Sequence, residues 1–146
     1  MPATFNYAGV RFPYPENWQV EISPGEESWS AFVQSPSTAF LLVSFTEGEF
    51  DLGETADVAL QELKSEYPKL EVIDAIDTIS GLPAVGYDAQ FFHFDLTNTT
   101  WIRAVPMTSG SLLLMAQFTD DESELNGEVL RGMLHVMQLD EPEVEE

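Results

Sequence analysis

Three of the segments that separate apolar runs in this sequence are too short to be anything but tight turns. They are SGLP (80–83), DLTN (95–98) and PMTSG (106–110). A parallel crossover between two strands needs a dozen or more residues, whereas an antiparallel hairpin needs only a few. We therefore predict that the runs around these turns are neighbouring antiparallel strands. The runs are LEVIDAIDTIS (70–80), AVGYDAQFFHF (84–94), TTWIRAV (99–105) and SLLLMAQF (111–118).

The first third of the chain has the same organisation of short strands and turns. Aromatic or β-branched runs at 9–12, 18–22, 29–35 and 39–45 are separated by PYPEN, SPGEE and SPST. These spacers carry the Pro, Gly, Asn and Ser that turns require, so the pattern predicts an antiparallel meander. In FPYPENWQV the prolines cannot donate backbone hydrogen bonds. We interpret this stretch as a turn, with Trp18 opening the buried face of the next strand.

Two segments have the apolar spacing of helices. The first is predicted to begin at an N-cap on Thr55 and to end before Pro68, because proline disfavours helical geometry in the residue that precedes it. The second is predicted to begin in TDDESE (119–124) and to run to about Gln138. Gly127 and Gly132 are expected to let this second helix approach the sheet closely.

The order of these elements indicates an α+β fold, with an antiparallel β-sheet and helices packed on it. The chain has 146 residues, of which 44% are hydrophobic, which is enough for one domain with its own core. We predict a single domain over residues 1–138 and an acidic disordered tail over 139–146, since DEPEVEE is charged and contains proline.

At this level the chain resembles the PsbP-like superfamily. The resemblance lies in RFPYPENWQV, SPSTAFLLVSF, GLPAVGYDAQF, TTWIRAV and SLLLMAQF, and it covers roughly residues 5–138. The superfamily includes PsbP, a Ran-binding nuclear import factor and bacterial DcrB-like proteins. The resemblance implies an α/β/α sandwich that binds other proteins.

The charge of the chain narrows the range of partners. It has 26 Asp and Glu against 5 Lys and Arg, a formal net charge of −21. Such a field repels phosphate backbones and anionic lipids, so we expect no nucleic-acid and no membrane partner. A protein with a basic surface, or cations, would fit better. The alternative is that the acidity serves solubility or reflects a salty cytoplasm.

The N-terminal sequence and the composition predict a cytoplasmic protein. MPATFNYAGVRF has neither the basic region nor the continuous apolar region of a signal peptide. The absence of cysteine excludes disulfides, thiolate nucleophiles and metal sites with cysteine ligands.

The familiar catalytic signatures are also missing, and we expect no cofactor. There is no G-x-S-x-G, P-loop, G-x-G-x-x-G or H-E-x-x-H motif in the sequence. Only His93 and His135 could join carboxylates at a metal. The cluster DDESE (120–124) lacks the glycine and the oxygen spacing of an EF-hand, and helix-start chemistry explains it. A metal-dependent module or enzyme built on carboxylates and histidines is the alternative to a binding domain.

Aromatic residues carry the interaction hypothesis. Alternation places Trp101 and Arg103 on one face of their strand, and these residue types are enriched at interface hot spots. We expect Phe91 and His93 of the neighbouring strand to join them in one patch. The alternative is a Trp covered by a helix, with Arg103 extending over it. Phe50, flanked by acids in EGEFDLGE (47–54), could dock a basic groove or belong to a solvated connector.

From these residues we predict a non-enzymatic protein-binding or adaptor domain. A homodimer through a sheet edge or through the Trp101 face is left open.

Overall fold

The computed structural model describes residues 2–139, apart from the side chain of Ser123. In this range the chain forms ten strands and two α-helices. The strands are β1 (Ala3–Tyr7), β2 (Val10–Tyr14), β3 (Gln19–Ser23), β4 (Ser28–Gln34), β5 (Phe40–Glu47), β6 (Glu71–Ile79), β7 (Leu82–His93), β8 (Leu96–Met107), β9 (Gly110–Thr119) and β10 (Gln138–Leu139). The helices are α1 (Leu52–Glu66) and α2 (Glu128–Val136).

The strands form two antiparallel sheets, which confirms the predicted fold class. The large sheet has seven strands in the order β3-β4-β5-β9-β8-β7-β6. Its hairpins β6-β7, β7-β8 and β8-β9 are those that the short turns predict. The prediction of a single sheet is wrong for the first strand, since β2 pairs with β1 and β10 in a separate three-stranded sheet. The sequence pattern does not indicate that β1 and β10 are strands.

Other elements pack on both sides of the large sheet. On one side, here called the α1 face, Ala56, Ala59, Leu60 and Leu63 of α1 pack on Ala89, Phe91, Ile102 and Ala104. On the other side, here called the α2 face, the small sheet and α2 pack on β4, β5 and β9 in a larger core. Trp18 belongs to this core and is buried, as its position in FPYPENWQV predicts.

The first helix begins earlier than predicted. Its N-cap is Asp51, whose carboxylate accepts a hydrogen bond from the backbone N–H of Glu54 at 3.0 Å. The predicted cap, Thr55, lies inside the helix, where its hydroxyl donates to the carbonyl of Asp51. A carboxylate at this position satisfies a free N–H and also interacts favourably with the helix dipole.

The second helix is less regular than predicted. A 3-10 turn over Asp120–Glu122 and a π-helical turn over Ser123–Gly127 precede α2. A Cβ at Gly127 would lie 3.2 Å from the ring of Phe118, so this glycine does permit a close approach. The same expectation is wrong for Gly132, where a Cβ would meet nothing within 4 Å.

The predicted boundary of the domain at residue 138 is one residue short. Leu139 pairs with Val10 in β10 and is buried, because it contributes to the core beneath the small sheet. The rest of the predicted tail, residues 140–146, lies outside the described residues.

Candidate functional site

The β7-β8 hairpin fixes which side chains share a face with Trp101. Its turn is two residues, Phe94 and Asp95, which have φ values of 52° and 60°, so it lies one residue before the predicted DLTN. Positive φ at both central positions is the geometry of a type I′ turn, which matches the twist of a hairpin. In the resulting register Trp101 lies opposite Asp88, and Arg103 lies opposite Gly86.

This register separates the residues that were expected to form one patch. Phe91 and His93 project from β7 on the α1 face, whereas Trp101 and Arg103 project on the α2 face. Phe91 is buried and stacks on Tyr67, with ring centroids 3.9 Å apart, and His93 meets the same tyrosine edge-on at 5.4 Å. The predicted patch of Trp101, Arg103, Phe91 and His93 is therefore wrong, because neighbouring positions of a strand point to opposite faces.

Arg103 is held inside the fold and is not displayed on the surface. It is only 6% exposed. Its Nε contacts Asp77 Oδ2 and its Nη2 contacts Asp88 Oδ1, each at 2.8 Å. Its Nη1 donates to the carbonyls of Tyr87 and Ile102 at 3.1 and 3.0 Å. The guanidinium thus joins β6, β7 and β8 from within, which is a structural role.

Gly86 makes this arrangement possible. A Cβ at Gly86 would lie 1.9 Å from the carbonyl oxygen of Ile102. Because Gly86 has no side chain, β8 can approach β7 closely where the side chain of Arg103 passes over β7. The sequence places this glycine in AVGYDAQFF without showing why it is needed there.

Trp101 is half-buried between the sheet and α2. The guanidinium carbon of Arg131 lies 4.8 Å from its ring centroid, and the ring of Phe118 meets it edge-on at 5.1 Å. A cavity of about 250 Å³ lies beside this stack, lined by Asp77, Asp88, Arg103, Leu134 and His135 among others. The part of Trp101 nearest α2 is therefore covered, as in the alternative interpretation of this residue.

Beyond α2 the α2 face of β6, β7 and β8 is uncovered. A groove of about 300 Å³ continues from Asp88 and Trp101 towards Glu71, Ile73, Gln90 and Thr99. Ile73 is 67% exposed and Phe92 is 77% exposed. We call the surface formed by Ile73, Gln90, Phe92, Thr99 and Trp101 the open face.

The tip of the β7-β8 hairpin is also apolar, and the ring of Phe94 lies 4.1 Å from the ring of His93, a residue of the α1 face. Phe94 is 86% exposed, although a bulky residue is seldom found at positive φ. Leu96 is exposed beside it. The turn therefore displays an aromatic ring where Asn or Gly would be the common choice.

Phe50 lies away from the open face. It is exposed and lines a shallow site with residues 108–110, at the turn between β8 and β9. That turn is at the end of β8 opposite to Phe94. Because the next residue, Asp51, caps α1, this segment acts as a connector, and the structure does not bring Phe50 together with the other candidate residues.

A polar contact fixes α1 to β7. The hydroxyl of Tyr87 donates a hydrogen bond to the carboxylate of Asp57. This bond is the main reason why the pKa of Tyr87 is raised, with burial and the negative charges of Asp57 and Asp74 adding to it.

Residues 2–139 contain no group of three or more His, Asp or Glu side chains that could hold a metal ion. Neither helix of the described chain has the length and apolar composition needed to cross a lipid bilayer.

Comparisons with known proteins identify similar folds but do not assign the chain to a family. No family model matches it, and no curated protein matches its sequence. Its structure is similar to LpqN of Mycobacterium tuberculosis, a protein involved in cell envelope biogenesis, with 16% identity, a TM-score of 0.60, and coverage of 95% of this chain and 89% of LpqN. It is also similar to PA94, a protein of unknown function from Pseudomonas aeruginosa, with 15% identity, a TM-score of 0.55, and coverage of 97% and 99%.

A third similar structure comes from Bacteroides thetaiotaomicron, with 14% identity and a TM-score of 0.57. Here 92% of this chain matches 46% of the other, so the chain spans about half of that protein. At these identities the likeness is one of fold, and the chain shares an α+β architecture with these bacterial proteins.

Proposed function

We propose that this protein is a non-enzymatic protein-binding or adaptor domain, and that it binds its partner through the open face and the hairpin tip. The observation that carries the proposal is the exposure of three large apolar side chains, Ile73, Phe92 and Phe94, near the hairpin end of the large sheet. Exposed apolar patches on a monomeric domain often mark an interaction site. Aromatic residues are also the side chains that contribute most at such sites.

Charge favours a partner with a basic surface. Glu71 and Asp88 line the groove of the open face, and Asp95 lies in the hairpin turn. The net charge of −21 adds a long-range attraction for a cationic partner. The resemblance to the PsbP-like superfamily, whose members bind proteins, supports the same class of function.

Affinity purification from the native host, followed by mass spectrometry, tests the proposal. The bait would be compared with a double variant, Phe92→Ser with Phe94→Ser, and with the control Val58→Ser. Val58 is also an exposed apolar residue, but it lies on α1, away from the open face. We expect a partner to be recovered with the bait and the control and to be depleted with the double variant.

Thermal unfolding of all three proteins would establish that each is folded. Recovery of the same proteins with the double variant, or no specific recovery with any bait, would contradict the proposal. Fractionation of the tagged protein in the same host tests the prediction that it is cytoplasmic, against placement in the cell envelope, which the likeness to LpqN suggests.

A further inference from the structure

We infer that the free edge of β6 binds an extended segment of a partner protein as an additional antiparallel strand, and that this segment carries Lys or Arg at about every third position. This extends the proposed function to a second surface next to the open face. It rests on four features of β6: its unpaired edge, the direction of its backbone groups, its exposed isoleucines and the spacing of its acids.

β6 is a long edge strand with pairing on one side. Within residues 2–139 it pairs with β7 alone, over nine residues without a break in register. The other edge of the large sheet, β3, has five residues. Proteins commonly protect their edges by keeping them short or by placing proline or bulges in them, and EVIDAIDTI has none of these protections.

The pairing with β7 shows which backbone groups are available. Pro83 lies opposite Thr78 and has no N–H, and Ile79 and Leu82 flank a two-residue turn. The Thr78–Pro83 pair is therefore one of the non-hydrogen-bonded pairs that alternate along an antiparallel ladder. Counting back in twos, the N–H and C=O groups of Val72, Asp74 and Ile76 point away from β7.

Between its acids, the edge also displays exposed apolar side chains. Ile76 is 82% exposed on the α1 face, and Ile73 is 67% exposed on the α2 face. An added strand would place its own side chains beside both of them. Main-chain hydrogen bonds supply affinity in this mode of recognition, and the side chains along the strand supply specificity.

The acids of β6 indicate the charge of the segment. Glu71, Asp74 and Asp77 recur at every third position, and Asp77, which already pairs with Arg103, still has a side chain that is 57% exposed. A second copy of β6 would place these same three acids against their equivalents, and like charges facing each other across strands are unfavourable. A segment with basic residues at the matching spacing converts this repulsion into attraction, so we assign the edge to a basic partner segment and not to a second copy.

A synthetic peptide of sequence TKIVKVVK tests the inference, because its three lysines lie opposite the three acids in antiparallel register. We expect saturable binding, measured by fluorescence anisotropy, which weakens as the salt concentration rises. Slower hydrogen exchange at the amides of Val72, Asp74 and Ile76, measured by NMR, would show that a strand has been added. The same peptide can be N-methylated at the alternate residues whose N–H groups would face β6. This peptide keeps its charge but should not bind.

Two variants at one position separate backbone pairing from side-chain contact. Ile76→Pro removes an outward N–H and leaves the ladder with β7 complete, and it should weaken binding at least about tenfold, because this mode depends on main-chain hydrogen bonds. Ile76→Thr keeps the N–H and should bind more tightly than Ile76→Pro. If Ile76→Pro does not fold, the N-methylated peptide provides the same test.

Absence of saturable binding, binding without slower exchange at the three amides, or equal binding by Ile76→Pro and Ile76→Thr would overturn the inference. So would self-association of the protein in sedimentation that Ile76→Pro abolishes, since a second copy would then occupy the edge. A partner whose capture depends on Phe92 and Phe94 but is unaffected by Ile76→Pro would leave the proposed function intact and remove this inference alone.

Discussion

The two ends of the large sheet have opposite distributions of polar and apolar side chains. Around β4, β5 and β9 the α2 face is a conventional core, with Trp18, Val33, Leu41 and Leu114 buried. Around β6 and β7 a guanidinium is buried while isoleucine and phenylalanine side chains are exposed. One end therefore stabilises the fold by apolar burial, and the other combines an internal ion-pair network with an exposed apolar surface.

This difference has a physical origin in the length of the covering layer. The helix α2 has nine residues, about 14 Å, whereas β7 and β8 have twelve residues each, about 40 Å. The helix meets the sheet near Asp77 and Ile79 and leaves the hairpin end of these strands without a cover. Substitutions at the two ends should consequently differ in what they disrupt.

Trp18→Ala should have one of the largest effects on stability. The indole is buried in the core of the conventional end, so its removal should cost about 3–5 kcal/mol of unfolding free energy through lost burial and a cavity. Urea denaturation measures this cost. A loss below about 1 kcal/mol would be the size of an exposed-site effect and would contradict the role assigned to Trp18.

Arg103→Met should cost about 3 kcal/mol, at the low end of the range for breaking a buried ion pair. Asp77 and Asp88 would be left without their cation, but their side chains are 57% and 34% exposed, so water would compensate in part. Arg131→Met is the matched control and should cost about 1 kcal/mol, the value of a cation–π contact. If urea denaturation shows equal losses of unfolding free energy for the two variants, the ion-pair network of Arg103 contributes no more to stability than the cation–π contact of Arg131.

Gly86→Ala should cost about 2 kcal/mol, because a Cβ 1.9 Å from the carbonyl oxygen of Ile102 forces the two strands apart. Gly132→Ala should have the opposite sign. Its Cβ would enter open space on α2, and alanine favours a helix interior over glycine by about 1 kcal/mol. Differential scanning calorimetry should show a lower Tm for the first variant and a higher Tm for the second.

Asp57→Asn should lower the pKa of Tyr87 towards its ordinary value of about 10, because it removes the main cause of the upward shift. Asp74→Asn should lower this pKa less, since Asp74 is the smallest of the causes. Tyrosinate absorbance, with Tyr87→Phe to identify the contribution of this residue, measures the titration.

The sign of the associated pH dependence follows from the direction of the shift. A folded-state pKa above that of the unfolded chain means that the Tyr87 hydroxyl is held protonated by folding. Its contribution to stability is complete below the unfolded-state pKa and is lost as the pH rises through the folded-state pKa. Stability of Asp57→Asn should therefore fall less in this alkaline range, and an identical pH profile for both proteins would contradict the assignment.

Phe92→Ala should have the smallest effect on stability, within about 0.5 kcal/mol, as for other exposed positions. Phe91→Ala, one residue away, should cost about 3–5 kcal/mol, since that ring is buried against Tyr67. Denaturation of the two variants side by side tests the assignment of faces on β7. Similar losses would show that the register of this hairpin is different.

The hairpins could be predicted from sequence because turn length alone decides between parallel and antiparallel pairing. Pairing between distant segments could not be predicted. The contact of β2 with β10 joins Arg11 to Gln138, and no local pattern reports a partner 127 positions away.

The candidate site was predicted only in part. Alternation correctly placed Trp101 and Arg103 on one face of β8, but the choice between Phe91 and Phe92 as their neighbours depends on the exact register, which a loop motif does not specify. The exposure of Ile73 and Phe92 was not foreseen, since exposed and buried apolar residues have the same appearance in a strand pattern. Only the length of α2 relative to the strands decides which of them remain uncovered.

The closure of the small sheet has a consequence for how the chain is made. β2 pairs with β10, so the small sheet can be completed only after residues 138 and 139 have been synthesised. The hairpins from β6 to β9 pair strands that are adjacent along the chain, so they can form without the residues of β10. We therefore expect a folding intermediate in which the hairpins from β6 to β9 have formed and the small sheet is incomplete. In this intermediate Phe5 and Phe12, which are buried in the folded protein, would be accessible to chaperones.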